Sequence, residues 1–364
     1  MSGPSAREAP GQLRMPAEWE PHAATWIAWP HNLSDWPGKF APVPWVYGEI
    51  ARKICPGEKV RILVDTEAAE GRARRILARA GAAMEQIEFH RIPTDRVWTR
   101  DYGPLFIRRE SLPQELAVAG FAFNAWAKYP DFHHDAKVAQ RIAKASGRRL
   151  VPAQFNGRTV VLEGGSIDVN GRGSLLTTEE CLLDAVVQAR NPGLGRREIE
   201  GVLREMLDAR NVLWLGKGIS GDDTHGHVDD LCRFVGPRTV VLCRETDPED
   251  ANYRPLEENR ERLEGFHLED GGRLEAVPLP LPAPLFFEGR RLPASYANFY
   301  IANRVVLVPT FNDPNDRVAL GVLSECFPGR RVIGIHAVDL VWGLGTLHCL
   351  TQQEPDEEAS RPSA

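Results

Sequence analysis

The stretch KVRILVDTEAAEGRARRILARAGA, residues 59–82, determines the fold class of this chain. Its first six residues are rich in Val, Ile and Leu and end at an aspartate, which is typical of a buried strand. From residue 68 the apolar residues recur at three- and four-residue spacing up to Gly81, the pattern of an amphipathic helix that ends at a glycine. The stretch therefore predicts one strand followed by one helix.

The alternation of strand and helix patterns continues along the chain. Strands are predicted at 59–64, 159–167, 238–243, 304–311 and 330–337, and helices at 68–82, 134–147, 195–207 and 256–265. None of these strands leads into a G-x-G-x-x-G turn or a P-loop, so a nucleotide-binding sheet is not supported. The chain is therefore predicted to have an α/β fold.

The two ends of the chain flank one continuous region. Residues 1–13 are polar and rich in Pro and Gly, without the apolar segment of a secretory signal, and residues 355–364 are polar as well. Both ends are predicted to be disordered tails around a single domain at 14–354. The Pro-rich segment 279–293 is the predicted internal loop.

Composition and charge narrow the classes of function. The 364 residues carry a formal net charge of −6 and are 43% hydrophobic, so the chain has no basic field that would hold a nucleic acid. No apolar run approaches the roughly 20 residues that cross a bilayer. The six cysteines lie in a long chain without an export signal, which indicates free thiols in a reducing compartment. The sequence has no C-x-x-C pair, which excludes a structural zinc site or a thioredoxin-type motif of that kind. A cytoplasmic protein without nucleic-acid or membrane partners is expected.

Five polar motifs in apolar surroundings recur at intervals of 51 to 71 residues. They are centred on Asp101, Glu163, His227, Asn298 and Cys349. An interval of about 60 residues fits one strand–helix module per motif, and modules repeated around an axis would bring the motifs together.

Cys349 is the candidate nucleophile. Gly343 and Gly345 precede it and allow a sharp turn or a close approach to a ligand. The alternative is a buried cysteine at the end of a strand. If the stretch is a strand, His348 points to the opposite face from Cys349, so the proton carrier that such a thiol needs should be another histidine.

His225, His227 and Asp229 alternate along the chain and would share one face of a strand. Three interpretations remain open. The residues form a metal site, since His-x-His is a common ligand pair. Alternatively, a histidine acts as acid and base beside a carboxylate that binds a cation. The third interpretation is a polar turn held by hydrogen bonds.

Two further carboxylates lie in motifs with glycine. Asp101 is flanked by Arg100 and a Gly-Pro turn, and pairing with that arginine is its simplest interpretation. Glu163 ends an apolar run before two glycines, and its burial is costly unless it has a hydrogen-bond partner such as a histidine. Several tryptophans close to these motifs pack in the core or can stack on a flat cation.

Together the motifs resemble the agmatine deiminase family, which is related to the Porphyromonas-type peptidylarginine deiminases in the guanidine-modifying superfamily. The resemblance extends over nearly the whole chain, from Met15 to Gln353. It is carried, in order, by MPAEWEPH (15–22), WIAWPHN (26–32), WTRDYGP (98–104), FNAW (123–126), EGGS (163–166), TTEECLL (177–183), RNPGL (190–194), GHVD (226–229), SYANFY (295–300) and LHCLTQQ (347–353).

The resemblance implies a fold and a set of roles. The fold would be a pentein, an α/β propeller of five modules with pseudo-fivefold symmetry and a central active site in the domain at 14–354. Cys349 would be the nucleophile and His227 the acid and base, oriented by Glu163. Asp101 and Asp229 would clamp a guanidinium. The other substrate-binding residues would be Trp98, Trp126 and Asn298.

The implied activity is hydrolysis of agmatine to N-carbamoylputrescine and ammonia through a covalent thiouronium on cysteine, a step toward putrescine and other polyamines. It needs no metal or organic cofactor, its partner is a small cationic guanidine, and a homodimer is expected. One alternative is a deiminase of free or peptidyl arginine or of another guanidine. A second is a metal-dependent hydrolase that uses His225, His227 and Asp229, and a third is a binding protein without turnover.

The sequence departs from the family at three positions near the site. Many agmatine deiminases read Gly-Gly-Gly-Asn-Ile-His-Cys before the nucleophile, whereas Leu344 and Thr346 replace a glycine and the asparagine here. His225 stands where an aspartate or asparagine is common. None of the three changes replaces a proposed catalytic residue. The residues that bind the tail of the substrate are not identified by the sequence.

Overall fold

A computed structural model describes residues 13–109 and 114–357 of the chain. Its strands are β1 (His22–Ala28), β2 (Lys59–Val64), β3 (Ile87–Arg91), β4 (Leu105–Arg109), β5 (Glu115–Gly120), β6 (Leu150–Pro152), β7 (Gln154–Phe155), β8 (Arg158–Thr159), β9 (Asp168–Val169), β10 (Ser174–Thr178), β11 (Asn211–Leu215), β12 (Cys232–Gly236), β13 (Thr239–Arg244), β14 (Glu275–Pro280), β15 (Phe286–Phe287), β16 (Arg290–Arg291), β17 (Tyr300–Ile301), β18 (Val305–Thr310), β19 (Arg331–His336) and β20 (Thr351–Pro355). Its α-helices are α1 (Val43–Ile54), α2 (Glu67–Ala80), α3 (Thr99–Tyr102), α4 (Val138–Ala145), α5 (Glu179–Leu183), α6 (Arg196–Leu207), α7 (Tyr253–Glu264) and α8 (Pro314–Cys326). The predicted α/β class is confirmed.

Five of the sheets share one plan, in which a central strand pairs antiparallel on one side and parallel on the other. Four have the strand orders β4-β5-β6, β9-β10-β11, β12-β13-β14 and β17-β18-β19. In the fifth, β20-β1-β2-β3, the strand β1 lies antiparallel to β20 and parallel to β2. Because β20 follows β1 by more than 300 residues, this sheet joins the beginning and the end of the described chain.

The stretch at 59–82 forms the predicted strand β2 and helix α2. The helix begins after Thr66, whose side chain accepts a hydrogen bond from the Ala69 amide. It ends at Gly81, whose φ of +79° places it in the left-handed region that glycine adopts most easily. Ala73 and Leu77 face the core, four residues apart on one side of the helix.

Most of the other sequence-based elements are also confirmed, within a few residues at each end. They correspond to β13, β18, β19, α4, α6 and α7. The strand predicted at 159–167 is wrong over most of its length. Val161 makes only an isolated bridge to Ala122, and Gly164–Ser166 form a 3-10 turn. The Ser166 hydroxyl donates to the Glu163 carbonyl and holds that turn.

The segment 279–293, predicted as a loop, contains the small hairpin β15-β16. β20 runs to Pro355, which pairs with His22, so the first residue of the predicted C-terminal tail belongs to a strand. Residues 1–12 and 358–364 of the two predicted tails lie outside the described residues. Among the described residues, none of the helices is both long and apolar enough to cross a membrane.

All six cysteines are free thiols, and all except the half-buried Cys326 are buried. Cys232 and Cys243 lie in β12 and β13 and pack in the apolar core. Burial raises the pKa of the Cys243 thiol to about 12, so this thiol stays protonated.

Candidate active site

Each of the five polar motifs lies shortly before the antiparallel edge strand of a different sheet. Asp101 lies in α3, which leads into β4, and Glu163 precedes β9 by a short turn. His227 begins the turn that leads into β12. Asn298 and Cys349 each lie two residues before a strand, β17 and β20. The interval between the motifs therefore reflects one sheet per motif.

The motifs centred on Asp101 and Cys349 lie at a cavity of about 300 Å³. Asp101 and Cys349 line it together with a set of aromatic rings: Trp98, Trp126, Tyr129 and Trp342. Trp98 packs against Trp36, with ring centroids 5.7 Å apart, and its ring occupies the space that a side chain at residue 345 would need. Gly345 therefore allows Trp98 to lie next to the nucleophile turn.

The thiol of Cys349 lies in a polar environment. The Asn298 amide donates a hydrogen bond to Sγ at 3.1 Å, and Sγ lies 3.7 Å from Asp229 Oδ2. Burial, together with the negative charges of Asp229, Asp230 and Asp101, raises the pKa of this thiol well above its usual value. The thiol is therefore neutral until a positive charge enters the site.

His348 does not contact Cys349 but holds a carboxylate. The segment before β20 is a turn rather than a strand, because the Thr351 amide donates to the His348 carbonyl. His348 Nδ1 lies 2.6 Å from Asp229 Oδ2, and its Nε2 lies 2.8 Å from Glu18 Oε2. Sequence reasoning set His348 aside as a partner of the thiol and assigned no role to Glu18, although Glu18 lies in the MPAEWEPH motif.

Asp101 is a buried carboxylate with two hydrogen bonds. Trp126 Nε1 donates to Oδ2 at 2.9 Å, and the Gly165 amide donates to Oδ1 at 3.1 Å. Burial raises the pKa of Asp101 to about 6. The positive charge of His227 acts to lower this pKa, but the negative charges of Asp229 and Glu163 act to raise it. The predicted alternative, a pair with Arg100, is wrong, since that guanidinium binds Gln353 and Glu18.

A strained turn aims the Trp126 indole at Asp101. Ala125, Trp126 and Ala127 have φ values of 51°, 58° and 52°, so three consecutive non-glycine residues are left-handed. This conformation costs roughly 1–2 kcal/mol per residue. The Asn124 side chain accepts a hydrogen bond from the Ala127 amide at 3.0 Å and helps to hold the turn. Such strain is typical of positions that a functional site requires.

The imidazole of His227 lies between carboxylates on both sides. Nδ1 lies 3.7 Å from Asp101 Oδ1 and 3.9 Å from Asp229 Oδ1, and Nε2 lies 3.8 Å from Glu163 Oε2. Neither ring nitrogen has a hydrogen-bond partner among the described residues. Burial would lower the pKa of His227, but the charge of Asp101 and the contact with Glu163 outweigh it and raise the pKa well above its usual value. The ring is therefore a cation at neutral pH.

Glu163 is paired with Arg190 in the interior. Arg190 Nε donates to Glu163 Oε1 at 3.0 Å, and both side chains are fully buried. Although burial opposes ionisation, Arg190 and His227 hold the pKa of Glu163 at about 2. Arg190 also donates to the carbonyls of Gln188 and Thr224. It lies in the RNPGL motif, but sequence reasoning assigned it no role.

Gly165 makes room for the meeting of the charged groups. A Cβ at this position would lie 2.6 Å from His227 Nδ1, 2.8 Å from Asp101 Oδ1 and 3.1 Å from Asp229 Oδ2. These distances are shorter than ordinary van der Waals contact. Only glycine therefore lets the imidazole and the two carboxylates face one another across one small space.

The three departures from the family pattern have different positions. Thr346 Oγ1 donates to Asn298 Oδ1 at 2.8 Å and so supports the amide that contacts Cys349. Leu344 lines the cavity with a φ of +73°. His225 lies away from the cavity, with Nε2 2.9 Å from Asp184 Oδ2.

The predicted metal set of His225, His227 and Asp229 is not brought together. The prediction required a strand, but φ values of +66° at His225 and +90° at Gly226 form a turn that directs the two histidines to different neighbours. By contrast, the structure places the other predicted site residues around one point: Cys349, His227, Glu163, Asp101, Asp229, Asn298, Trp98 and Trp126.

Comparison with known proteins shows the family of the chain. A sequence profile described as Porphyromonas-type peptidyl-arginine deiminase matches residues 14–355. The chain belongs to this family. An agmatine deiminase of Ectopseudomonas mendocina is 35% identical, with 94% of this chain and 95% of the relative covered. An agmatine deiminase of Pseudomonas aeruginosa is 34% identical, with coverage of 98% and 99%.

Solved structures of other family members have the same fold. The agmatine deiminase of Enterococcus faecalis has a TM-score of 0.85 and 32% identity, with 95% of this chain and 96% of that chain covered. A cysteine-to-serine variant of the C. jejuni agmatine deiminase with substrate bound has a TM-score of 0.83 and 30% identity, with coverage of 95% and 97%.

Proposed function

We propose that this chain is an agmatine deiminase, a hydrolase that converts agmatine and water into N-carbamoylputrescine and ammonia. The observation that carries the proposal is that Cys349 and Asp101 line one cavity, with Asp229 Oδ2 3.7 Å from the Cys349 sulfur and His227 between the two aspartates and Glu163. The matched relatives are named agmatine deiminases, which supports the same substrate.

Binding of the guanidinium depends on the two aspartates. A guanidinium is planar and cationic, and carboxylates accept its N–H groups in pairs. Asp101 lines the cavity beside Cys349, and Asp229 Oδ2 lies 3.7 Å from the Cys349 sulfur, so a guanidinium next to the thiol lies close to two anions. Trp98 and Trp126 line the same cavity and provide aromatic faces for the cation.

The substrate itself activates the nucleophile. Its charge neutralises the aspartates that keep the Cys349 thiol protonated, and the thiol then loses its proton to solvent. The thiolate attacks the guanidinium carbon and forms a C–S bond. The His227 imidazolium donates its proton to an amino group of this adduct, ammonia leaves, and a thiouronium remains on Cys349.

Hydrolysis of the thiouronium completes the reaction. Neutral His227 takes a proton from water, and the resulting hydroxide attacks the same carbon. The C–S bond breaks, the thiolate leaves, and the urea oxygen releases its remaining proton, which converts ammonia to ammonium. Glu163 stabilises the imidazolium in both steps and is itself held by Arg190.

The outer part of the cavity fits the ammonium tail of agmatine. Asp35 and Asp223 line it, and each is paired with an arginine, Arg96 or Arg290. Asp223 is fully engaged, since Lys128 also binds it. Asp35 Oδ2 is buried and has no hydrogen-bond partner among the described residues. A free carboxylate oxygen favours an ammonium group over the carboxylate of arginine.

The architecture that the resemblance implies, a five-module propeller of the pentein type, is part of this proposal. Its support is the shared plan of five sheets and the position of one motif before each of them. The single domain at 14–354, the cytoplasmic location, the role in putrescine synthesis and the homodimer stay predictions.

The proposed function is tested with the purified chain and a panel of guanidines. Agmatine, arginine, peptidyl arginine and butylguanidine are compared by ammonia release, and the product is identified by mass spectrometry. We expect the highest kcat/KM for agmatine and a product one mass unit heavier than the substrate, because an NH group is replaced by oxygen. A preference for arginine or its peptides contradicts the proposed substrate, and no ammonia from any guanidine contradicts the reaction.

A further inference from the structure

A second thiol lies beside the proposed acid and base. Cys181, in α5, is buried, and the mechanism above does not use it. Its Sγ, a carboxylate oxygen of Glu163 and a ring nitrogen of His227 all lie within 4.8 Å of one another. These residues come from three separate segments, so the fold itself assembles one sulfur, one nitrogen and one oxygen donor.

Two of these atoms are buried without partners. Glu163 Oε2 and His227 Nε2 make no hydrogen bond among the described residues, and both side chains are almost fully buried. The distance between the two atoms, 3.8 Å, is too long for a hydrogen bond. It is close to the roughly 3.4 Å that separates two ligands of one tetrahedral Zn²⁺ with metal–ligand bonds of about 2.1 Å.

The chemistry of the donors and the surrounding charges suit a thiophilic cation. Cysteine sulfur, imidazole nitrogen and carboxylate oxygen are the usual protein ligands of zinc. Arg190 occupies Glu163 Oε1 and leaves Oε2 available. The opposite edge of the His227 ring faces Asp101 and Asp229, whose buried charges favour a cation nearby.

We propose that Glu163, Cys181 and His227 form a three-ligand site for a thiophilic divalent cation such as Zn²⁺, and that its occupation inhibits the enzyme. Binding releases the thiol proton and the Nε2 proton. The metal-bound ring is neutral and keeps its proton on Nδ1, so it no longer accepts and returns a proton in each cycle. The inhibition rests on the proposed function, whereas the binding of the ion does not.

The binding is tested by titrating metal-free full-length protein with Cd²⁺, which gives an ultraviolet charge-transfer band when it binds a thiolate. Wild type, Cys181→Ala, Cys181→Ser, Cys349→Ala and Cys243→Ala are compared, with circular dichroism to verify folding. We expect one equivalent of Cd²⁺ and the thiolate band in wild type, Cys349→Ala and Cys243→Ala. Both Cys181 variants should lose the band and bind Cd²⁺ about 100-fold more weakly, since loss of a ligand costs at least as much as loss of an outer-shell partner.

A band that persists in both folded Cys181 variants overturns the proposal, as does its loss in Cys349→Ala. The second result would place the ion at Cys349, whose Sγ lies within 4.8 Å of oxygens of Asp229 and Asp230.

Inhibition is measured separately, with Zn²⁺ and agmatine. The inhibition constant should rise at least about tenfold in Cys181→Ser, and an unchanged constant contradicts inhibition through this site. Because the Cd²⁺ band needs no turnover, a failure of the proposed agmatine reaction leaves the binding result interpretable.

Discussion

His348 Nδ1 lies 2.6 Å from Asp229 Oδ2, so the residue before the nucleophile holds one carboxylate of the guanidinium clamp. The other ring nitrogen contacts Glu18, which also pairs with Arg100 and Arg233. Burial alone would raise the pKa of Asp229, but the hydrogen bond and charge of His348 lower it below its usual value. The turn that positions Cys349 therefore also keeps Asp229 anionic.

We expect His348→Gln to weaken agmatine binding more than it slows the bound reaction. A hydrogen bond to a charged group contributes about 1.5–3 kcal/mol, so KM should rise roughly 10- to 100-fold. The acid limb of kcat/KM should move to higher pH, because Asp229 loses the partner that favours its ionised form. Both effects are measured by steady-state kinetics over a range of about pH 5 to 9, which includes the ordinary pKa of histidine.

His22→Gln is the matched control for this variant. His22 is a second buried histidine with a carboxylate partner, Glu58 at 3.1 Å, but it does not line the cavity. It should change stability without moving the pH profile. An identical profile in His348→Gln and wild type would show that His348 has only a structural role.

The activity of the wild-type chain should fall on the acid side near pH 6. Asp101 must be ionised to bind a guanidinium, and its pKa is raised to about 6. As the pH drops through this value the carboxyl gains a proton, and kcat/KM should decrease about tenfold per pH unit. His227 does not contribute to this acid limb, because its raised pKa keeps the ring protonated well above pH 6.5.

Asp101→Asn should reduce kcat/KM roughly 10²- to 10³-fold, the cost of removing one partner of a buried charge pair. Its acid limb should lose the step near pH 6 that Asp101 causes. An acid limb that stays at the same pH in this variant would assign the titration to another group.

Cys349→Ala should lower turnover roughly 10⁴-fold or more, because the variant lacks the sulfur that forms the covalent intermediate. Agmatine binding should persist, since both aspartates remain. In the wild-type chain, intact-mass measurement after an acid quench should detect the thiouronium on Cys349. Cys243→Ala, which removes another buried thiol, should keep full turnover and the adduct. Substantial turnover by a folded Cys349→Ala variant would disprove covalent catalysis.

Gly165→Ala should lower kcat/KM for agmatine about 100-fold, since displacing reacting groups by as little as 1 Å has this effect. The new methyl group would occupy the space shared by His227, Asp101 and Asp229. Gly201→Ala is the control, because nothing lies within 4 Å of its Cβ position in α6. That change should leave the kinetics intact and stabilise the chain by roughly 0.5–1 kcal/mol. An unchanged kcat/KM in Gly165→Ala would mean that the reaction does not depend on this arrangement of His227, Asp101 and Asp229.

Local sequence patterns accounted for most of the fold, but long-range contacts completed the site. The apolar periodicity of α2 and β2 is a property of neighbouring residues, so the stretch at 59–82 was predicted closely. The turn after Glu163 was missed, because an apolar run before Gly-Gly looks like a strand. The pairing of β20 with β1 joins distant segments and has no local pattern.

The supporting residues of the site illustrate the same limit. His348 meets Asp229 across 119 residues and Arg190 meets Glu163 across 27, so neither pair has a recognisable spacing. The turn at His225 depends on the positive φ angles of His225 and Gly226. The alternation of His and Asp in the sequence does not indicate these angles. Resemblance supplied the five proposed catalytic residues, and the structure adds the residues that hold them.

Asp35→Asn should raise KM for agmatine about tenfold, the typical cost of losing one charge-assisted contact. Asp35 lines the cavity, its Oδ1 binds Arg96, and its buried Oδ2 has no hydrogen-bond partner among the described residues, so this carboxylate is the proposed partner of the ammonium tail. Burial raises the pKa of Asp35 to about 6, so the effect should be largest above that pH, where the carboxylate is charged. Butylguanidine, which has no ammonium, is the control substrate, and its KM should be the same in the variant and wild type. Equal losses for both substrates would mean that Asp35 supports the cavity wall through Arg96, and would remove it from the recognition of the tail.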